Sequence, residues 1–392
     1  MKHIDITGIG GGQSGLATAH ALLHRELWPV VLVASNRVAG SWPRYYDSLT
    51  LFSPARYSSL PGIPFPGADR DRYPHRDEVV AYLTAYADPL NAEIRTDCRV
   101  TAVRRADDVF SLKLQGGDQL SARAVVAASG TFGRPHRPAL PGLEEFTGQV
   151  PHAADYRTPA PFAGRRVVVV GAGNSTVQIA AELGKTVRVT LATRRPVKFA
   201  AQRVLGRDLH FWLTRNGLDS APLGRLLPRP PAQPVHDDGR YRAALAAGRP
   251  DRRPLFTGAD GAELLWSDGE REEVDAIVLA TGYHPDPPYL ARLDGALDAE
   301  GNPGTARASP PTCQGWRSSG WSGSAVCRRT RCAAWAGTRT GSPGAWPPIS
   351  QAGEGPPHTG STCVNIDACR MRRCCRWSSP LTVGVRRRAA RR

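Results

Sequence analysis

Two stretches of this chain repeat one local design: an apolar, largely β-branched run, a glycine turn, and then an apolar stripe at helical spacing. The second copy is the clearer. Val167, Val168, Val169 and Val170 run straight into Gly171-Ala172-Gly173-Asn174-Ser175-Thr176, and Val177, Ile179, Ala180 and Leu183 follow with a period near 3.6. Four β-branched residues in succession suit a strand buried on both faces. The glycines allow a tight turn and a close approach to phosphate, while the helix N-terminus offers free N–H groups and partial positive charge. The first copy opens the chain. A strand from His3 to Ile9 meets Gly10-Gly11-Gly12-Gln13-Ser14-Gly15, then a stripe of Leu16, Ala19, Leu22 and Leu23, then a second strand at Pro29–Val33. Gly10 and Gly171 stand 161 residues apart. A chain with two such turns is organised for two dinucleotides, and the expected fold class is α/β with two Rossmann-like domains.

The ends of the second strands separate the two turns chemically. That position normally carries an acid that holds the ribose hydroxyls. In the first copy the sequence is Leu32-Val33-Ala34-Ser35-Asn36, so Val33 cannot accept those bonds and Ser35 or Asn36 would have to substitute. In the second copy the strand Thr186–Leu191 ends in Ala192-Thr193-Arg194-Arg195. No carboxylate repels a 2′-phosphate there, and two guanidiniums are placed to grip one, which points to NADP rather than NAD. Thr176 stands where the third glycine of the fingerprint would be, a bulkier residue at a close helix–strand contact.

Between the copies, residues 37–74 are rich in Pro, Gly, Tyr and Ser around Gly40-Ser41-Trp42, and read equally as a surface loop or as a wall around an extended cofactor. Arg76 to Ala87 is an amphipathic helix, and Glu93 to Gln115 a small antiparallel meander turned at Gly116-Gly117-Asp118. Ala124–Ala128 is a buried strand ending at Ser129-Gly130-Thr131-Phe132, and Pro135 to Pro141 is a proline-rich crossing. Helices are expected near Leu205–Arg215 and Asp238–Ala247, and Phe199, Phe211 and Trp212 suit either a pocket or a core. Glu272 to Ala280 is a second buried strand, entering Thr281-Gly282-Tyr283. The expected organisation is a first domain over 1–145, an inserted second domain over 146–280, a return over 281–303, and an irregular basic tail over 304–392.

Charge is concentrated in that tail. The chain carries +16, but from Pro303 onward there are fifteen Arg, no Lys and two acids, leaving only +3 for the first 302 residues. The excess therefore argues against a nucleic-acid surface on the body, and no nucleic-acid partner is expected. Cys98 is the single cysteine of the body, which suits a reducing, cytoplasmic setting. No run of about 18 apolar residues predicts a membrane span, and the first strand begins too early for a signal peptide. From Gly304 the apolar periodicity is lost, and five of the nine Trp fall in this part. Arg, Cys, Trp, Ser, Gly and Pro are what G/C-rich codons give out of register. With such codons, residues 304–339 read two bases later can spell a strand, a turn and a helix start. The tail is thus expected to be frame-shifted, and gene codons unable to spell that string would refute this.

Just ahead of the second turn stands Phe146-x-Gly148-x-x-x-His152-x-x-x-Tyr156. With this motif between two glycine fingerprints, residues 3–302 resemble the flavin-containing monooxygenases, two-domain flavoproteins of the class that includes the Baeyer–Villiger enzymes. The resemblance implies FAD at Gly10, Gly12, Gln13, Ser14, Gly15, Ser41 and Trp42. It implies NADPH, or the hinge between domains, at Gly171, Gly173, Asn174, Ser175, Thr176, Arg194, Arg195, Thr281 and Gly282. It implies that His152 orders the linker and couples NADP binding to oxygenation, rather than moving a proton. It also implies the chemistry: hydride from NADPH to flavin, a flavin C4a-hydroperoxide from dioxygen, and one oxygen passed to a small N-, S- or carbonyl-bearing substrate. The tail as translated lacks the family's closing FAD-domain segment, so low flavin occupancy is expected. The alternatives are a reductase or oxidase of the same fold, or a catalytically impaired frame-shifted product. A disulfide reductase is disfavoured because the body has no Cys-x-x-Cys.

Overall fold

The computed structural model describes residues 2–218 and 234–303, together with the backbone of 317–318 and 362–365. The first body begins with β1 (Lys2–Ile9), α1 (Gln13–Leu23) and β2 (Pro29–Leu32). Later come α2 (Arg76–Ala87), β3 (Glu93–Arg95), β4 (Val100–Ala106), β5 (Val109–Leu114) and β6 (Gln119–Ala127). Strands β6, β1, β2 and β3 lie side by side in parallel, with Ile6 facing Pro29 on one side and Ala124 on the other. β2 is buried throughout, as its unbroken apolar run requires. α2 starts at a capping box in which Glu78 Oε2 accepts from the His75 N–H and His75 Nδ1 from the Asp77 N–H.

β6 is long enough to have two kinds of neighbour on one edge. Its first half takes β5 antiparallel, with Phe110 opposite Ala122, and β5 carries β4. Beyond that, Ala124–Ala127 would be an open edge of unpaired backbone groups.

The second body contains β7 (Arg134–Pro135), β8 (Arg166–Val170), α3 (Asn174–Leu183) and β9 (Arg188–Thr193). A short pair follows, β10 (Phe199–Ala201) with the later β13 (Val235–Asp237), enclosing a hairpin of β11 (Arg203–Val204) and β12 (Arg207–Asp208) and then α4 (Leu209–Arg215). The chain continues through α5 (Arg240–Ala246), β14 (Asp251–Pro254), the meander β15 (Gly258–Asp260), β16 (Glu263–Leu265) and β17 (Arg271–Glu273), and β18 (Ala276–Leu279). β14, β9, β8 and β18 form a parallel sheet in which Val167, Val168 and Val169 are wholly buried. The helix expected from Leu205 is corrected: Leu205 (φ +49°) and Gly206 (φ +71°) make the hairpin tip, so α4 starts only at Leu209, after the N-cap Asp208.

The two bodies are joined where β7 pairs antiparallel with β19 (Tyr283–His284), so the outgoing and returning chains cross as one two-stranded ribbon. After the ribbon, Tyr289, Leu290, Leu293 and Ala296 return to the core of the first body, among Val103, Leu112 and Val125. Of the tail, β20 (Arg317–Ser318) and β21 (Thr362–Asn365) are described, and β21 lies parallel to the open part of β6 with Cys363 opposite Val125. These two short strands are all that is described of the tail expected to be irregular. The frame-shift reading otherwise falls outside the described residues.

Candidate functional site

Each glycine turn sits between a parallel strand and a helix, at the C-terminal edge of its sheet, where α/β sheets admit ligands. At the first, Gly10 has φ +118°, and a Cβ there would stand 2.4 Å from the Ala128 carbonyl oxygen. A Cβ on Gly15 would lie 1.8 Å from the Gly10 carbonyl oxygen, so helix and strand meet through hydrogen alone. Gly12 is the N-cap of α1, no side chain caps it, and a Cβ there would meet only Gly40 Cα, at 3.6 Å. An uncapped helix N-terminus over a glycine floor suits a pyrophosphate. Gln13 does not turn to this space: its Oε1 accepts from Trp42 Nε1 at 2.7 Å, fixing the indole beside the turn. Ser14 and Gly15 are buried, and Ser41 Oγ is 3.0 Å from Tyr45 OH. Val33 is buried against Gly11, Ser35 Oγ donates to the Arg37 carbonyl, and Ser35 and Asn36 lie on the exposed rim.

The second turn has the same plan with one change. Gly171 has φ +140°, with the Ala280 carbonyl oxygen 2.4 Å from a Cβ built on it, while the space in front of Gly173 is open. Thr176, which the sequence placed among the cofactor contacts, lies behind the turn. It is fully buried, accepts from the Gly173 N–H at 3.2 Å and donates to the Ala280 carbonyl at 3.0 Å. Its hydroxyl thus does with hydrogen bonds what a third glycine would do by close approach. Arg194 and Arg195 are exposed just past β9 and have no ion-pair partner among the described residues. Burial, His284 and then Arg194 together hold the His136 pKa below the ordinary value.

The linker motif forms an extra edge beside β18. Gln149 and His152 bridge Ala276 and Leu279 in parallel register, and Phe146 bridges Gly261. A Cβ on Gly148 would collide with the Phe146 ring at 2.5 Å, so the glycine is required by packing. Tyr156 is buried and donates to Glu182 Oε2 at 2.7 Å. His152 is wholly buried and both ring nitrogens are engaged, Nε2 with the Gly282 carbonyl at 3.1 Å and Nδ1 with the Ala154 N–H at 3.0 Å. Burial, and then Arg137, push its pKa down. A neutral imidazole with no free lone pair holds the linker to the ribbon and cannot serve as a base in this arrangement. Thr281 Oγ1 donates to the His136 carbonyl, and Gly282 (φ +90°) also accepts the His136 N–H, so both belong to the crossing between bodies.

One cavity is lined by residues adjoining both turns: Trp42 from the first, Asn174 and Ser175 from the second, with Phe52, Phe132 and Tyr283 between them. Edge-to-face contacts run without a break from Trp42 to Tyr45 (5.5 Å), Phe132 (6.1 Å), Tyr283 (5.1 Å) and His152 (5.0 Å). Burial pushes the Tyr283 phenol up to about 12 and raises that of Tyr45, so both keep their protons and the wall stays neutral. Trp42 and His152 were singled out from the sequence, whereas Tyr45, Phe132 and Tyr283 were not. Phe132 and Tyr283 could have been found from their equivalent places, each in a small-residue turn past a buried strand. Phe199, Phe211 and Trp212 do not line this cavity. A larger cavity of about 430 Å³ lies at the opposite end of the second sheet. Its guanidiniums are largely matched by acids: Arg166 and Arg188 pair with Glu272, and Arg253 with Asp268 and Glu270.

Residues 8–214 match the family model described as pyridine nucleotide-disulphide oxidoreductase. An uncharacterized CzcO-like oxidoreductase of Geobacillus kaustophilus is 30% identical over 309 residues, covering 77% of this chain and 87% of the relative. The indole-3-pyruvate monooxygenase YUCCA1 of Oryza sativa subsp. japonica is 30% identical, covering 74% and 79%. A flavin-containing monooxygenase structure from Stenotrophomonas maltophilia is 33% identical, with a TM-score of 0.68 and 78% and 86% of the two chains covered.

Proposed function

The chain belongs to the pyridine nucleotide-disulphide oxidoreductase family, among its flavin-containing monooxygenases, and we propose that it uses FAD and NADPH to place one oxygen atom of dioxygen on a small nitrogen-, sulfur- or carbonyl-bearing substrate. The observation that carries this reading is the cavity shared by the two glycine turns. Gly10, Gly12 and Gly15 would hold the FAD pyrophosphate, with Trp42 beside the ring system. Gly171, Gly173 and Ser175 would hold that of NADPH, and Arg194 and Arg195 its 2′-phosphate. When bound, the flavin supplies hydride acceptance and oxygen activation, chemistry that side chains alone do not provide.

The protein's own part is enclosure and orientation. Trp42, Phe52 and Phe132 exclude water from the cavity, and the Tyr283 hydroxyl remains a neutral donor at its wall. Among the described residues no charged side chain lines the cavity, which favours an uncharged reacting group. A disulfide reductase of this fold is disfavoured, since Cys98 is the one free cysteine among the residues whose side chains are described and it packs against the core of the first body.

The test is an absorbance spectrum of the purified, FAD-loaded chain before and after NADPH, followed by turnover of a thioether under ¹⁸O-labelled dioxygen. Bleaching of the flavin band and one labelled oxygen in the product are expected. Bleaching with all the oxygen released as hydrogen peroxide would instead make the chain an oxidase.

A further inference from the structure

One wall of the shared cavity is assembled across the two bodies by buried polar groups. Phe52 comes from the long segment of the first body, yet its ring lies flat on His236 of β13 in the second, with centroids 4.7 Å apart and planes 3° apart. Its carbonyl accepts from Gln202 Nε2 at 2.9 Å. Gln202 Nε2 also donates to Asp208 Oδ2 at 2.7 Å, and Tyr73 OH of the first body donates to the same oxygen at 2.7 Å. Asp208 Oδ1 in turn takes His210 Nδ1 at 2.8 Å. Gln202, Asp208, His210 and His236 are all less than 9% exposed.

Burying this many polar groups costs desolvation that apolar side chains of the same size would avoid. What polar groups provide instead is direction: a carboxylate with these donors around it admits few geometries. The network also reaches the second glycine turn, because the His236 N–H donates to Asn174 Oδ1 at 3.1 Å, and Asn174 is the first residue of α3 and lines the same cavity. A continuous path thus leads from the helix N-terminus through Asn174 and the His236 ring to Phe52.

We propose that Asp208 and His236 are positioning residues that set the Phe52 wall according to what the second turn holds, so that a dinucleotide seated at Gly171–Ser175 closes the cavity from the far body. This rests on the reading of that turn as the NADPH site. Phosphate bound at the N-terminus of α3 holds Asn174 still. Asn174 then fixes the backbone of His236, whose ring presents one flat face to Phe52, while Asp208 through Gln202 holds the Phe52 backbone from behind.

Amide hydrogen exchange on the full FAD-loaded chain, with and without NADP⁺, tests this without turnover. In the wild type, peptides covering 171–178 and 49–58 should both slow on adding NADP⁺, the latter by about fivefold or more, the lower end of a typical coupling. In His236→Ala only 171–178 should slow. His236→Phe, which keeps a flat ring, should restore the slowing at 49–58. A wild type that slows at 171–178 alone overturns the proposal and leaves the NADPH site standing, and this outcome needs no variant to fold. Slowing at 49–58 that survives His236→Ala, or that is lost equally in His236→Phe, overturns the route through the ring stack. No slowing at 171–178 in the wild type removes the NADPH site and the proposal together.

Discussion

Gly10 is the residue at which the fold and the proposed chemistry depend most directly on one missing atom. Its φ of +118° is left-handed, and a Cβ would stand 2.4 Å from the backbone oxygen of Ala128, which cannot move without shifting β6. Gly10→Ala should destabilise the chain by about 1–3 kcal/mol, the usual cost of a residue held in such a conformation. It should also lower bound FAD, read as the ratio of flavin to protein absorbance alongside the thermal midpoint. Arg194 tests the second turn in another way. As an exposed guanidinium with no ion-pair partner among the described residues, its value to the fold is small, so Arg194→Ala should leave the melting temperature alone. The KM for NADPH should rise about tenfold or more, in line with the loss of one charge-assisted hydrogen bond, while that for NADH barely changes. Equal effects on both nucleotides would remove the 2′-phosphate assignment.

Among the elements, the linker beside β18 carries the most information for its length. His152 is buried neutral, its pKa held down first by burial and next by Arg137. A histidine whose folded value is depressed leaves stability intact above its unfolded pKa of about 6.5, and stability falls as pH drops below that, because the unfolded chain takes up the proton first. His152→Phe should cost about 1–3 kcal/mol at pH 8 through its unpaired partners. The gap to wild type should narrow toward pH 5, as seen in urea midpoints at the two pH values. A gap that stays constant would show that His152 titrates as it does in the unfolded chain. The strands and helices of both turns were legible because their periods are unambiguous: α2 runs over Arg76–Ala87 as the apolar spacing indicates, and the valine run is β8. The hairpin at Leu205–Gly206 was not, since a leucine at positive φ breaks no pattern that a reader could see. Nor was the role of Thr176, whose hydroxyl bonds depend on Ala280, more than a hundred residues away.

For the whole molecule, the two-body plan was legible because each glycine turn announces a sheet, and the return to the first core follows from the second buried strand. The cavity between the bodies was not, because its walls come from distant stretches that no local spacing relates. The two crossing segments, Arg134–Pro135 and Tyr283–His284, do not leave the first body as separate tethers; they are laced to one another, with His284 Nε2 2.9 Å from His136 Nδ1. A narrow band of two paired threads resists being stretched or sheared but yields readily to torsion. Swivelling about the long axis of that band is opposed by the Tyr73–Asp208 hydrogen bond and the Phe52–His236 stack, which tie the bodies together a second time.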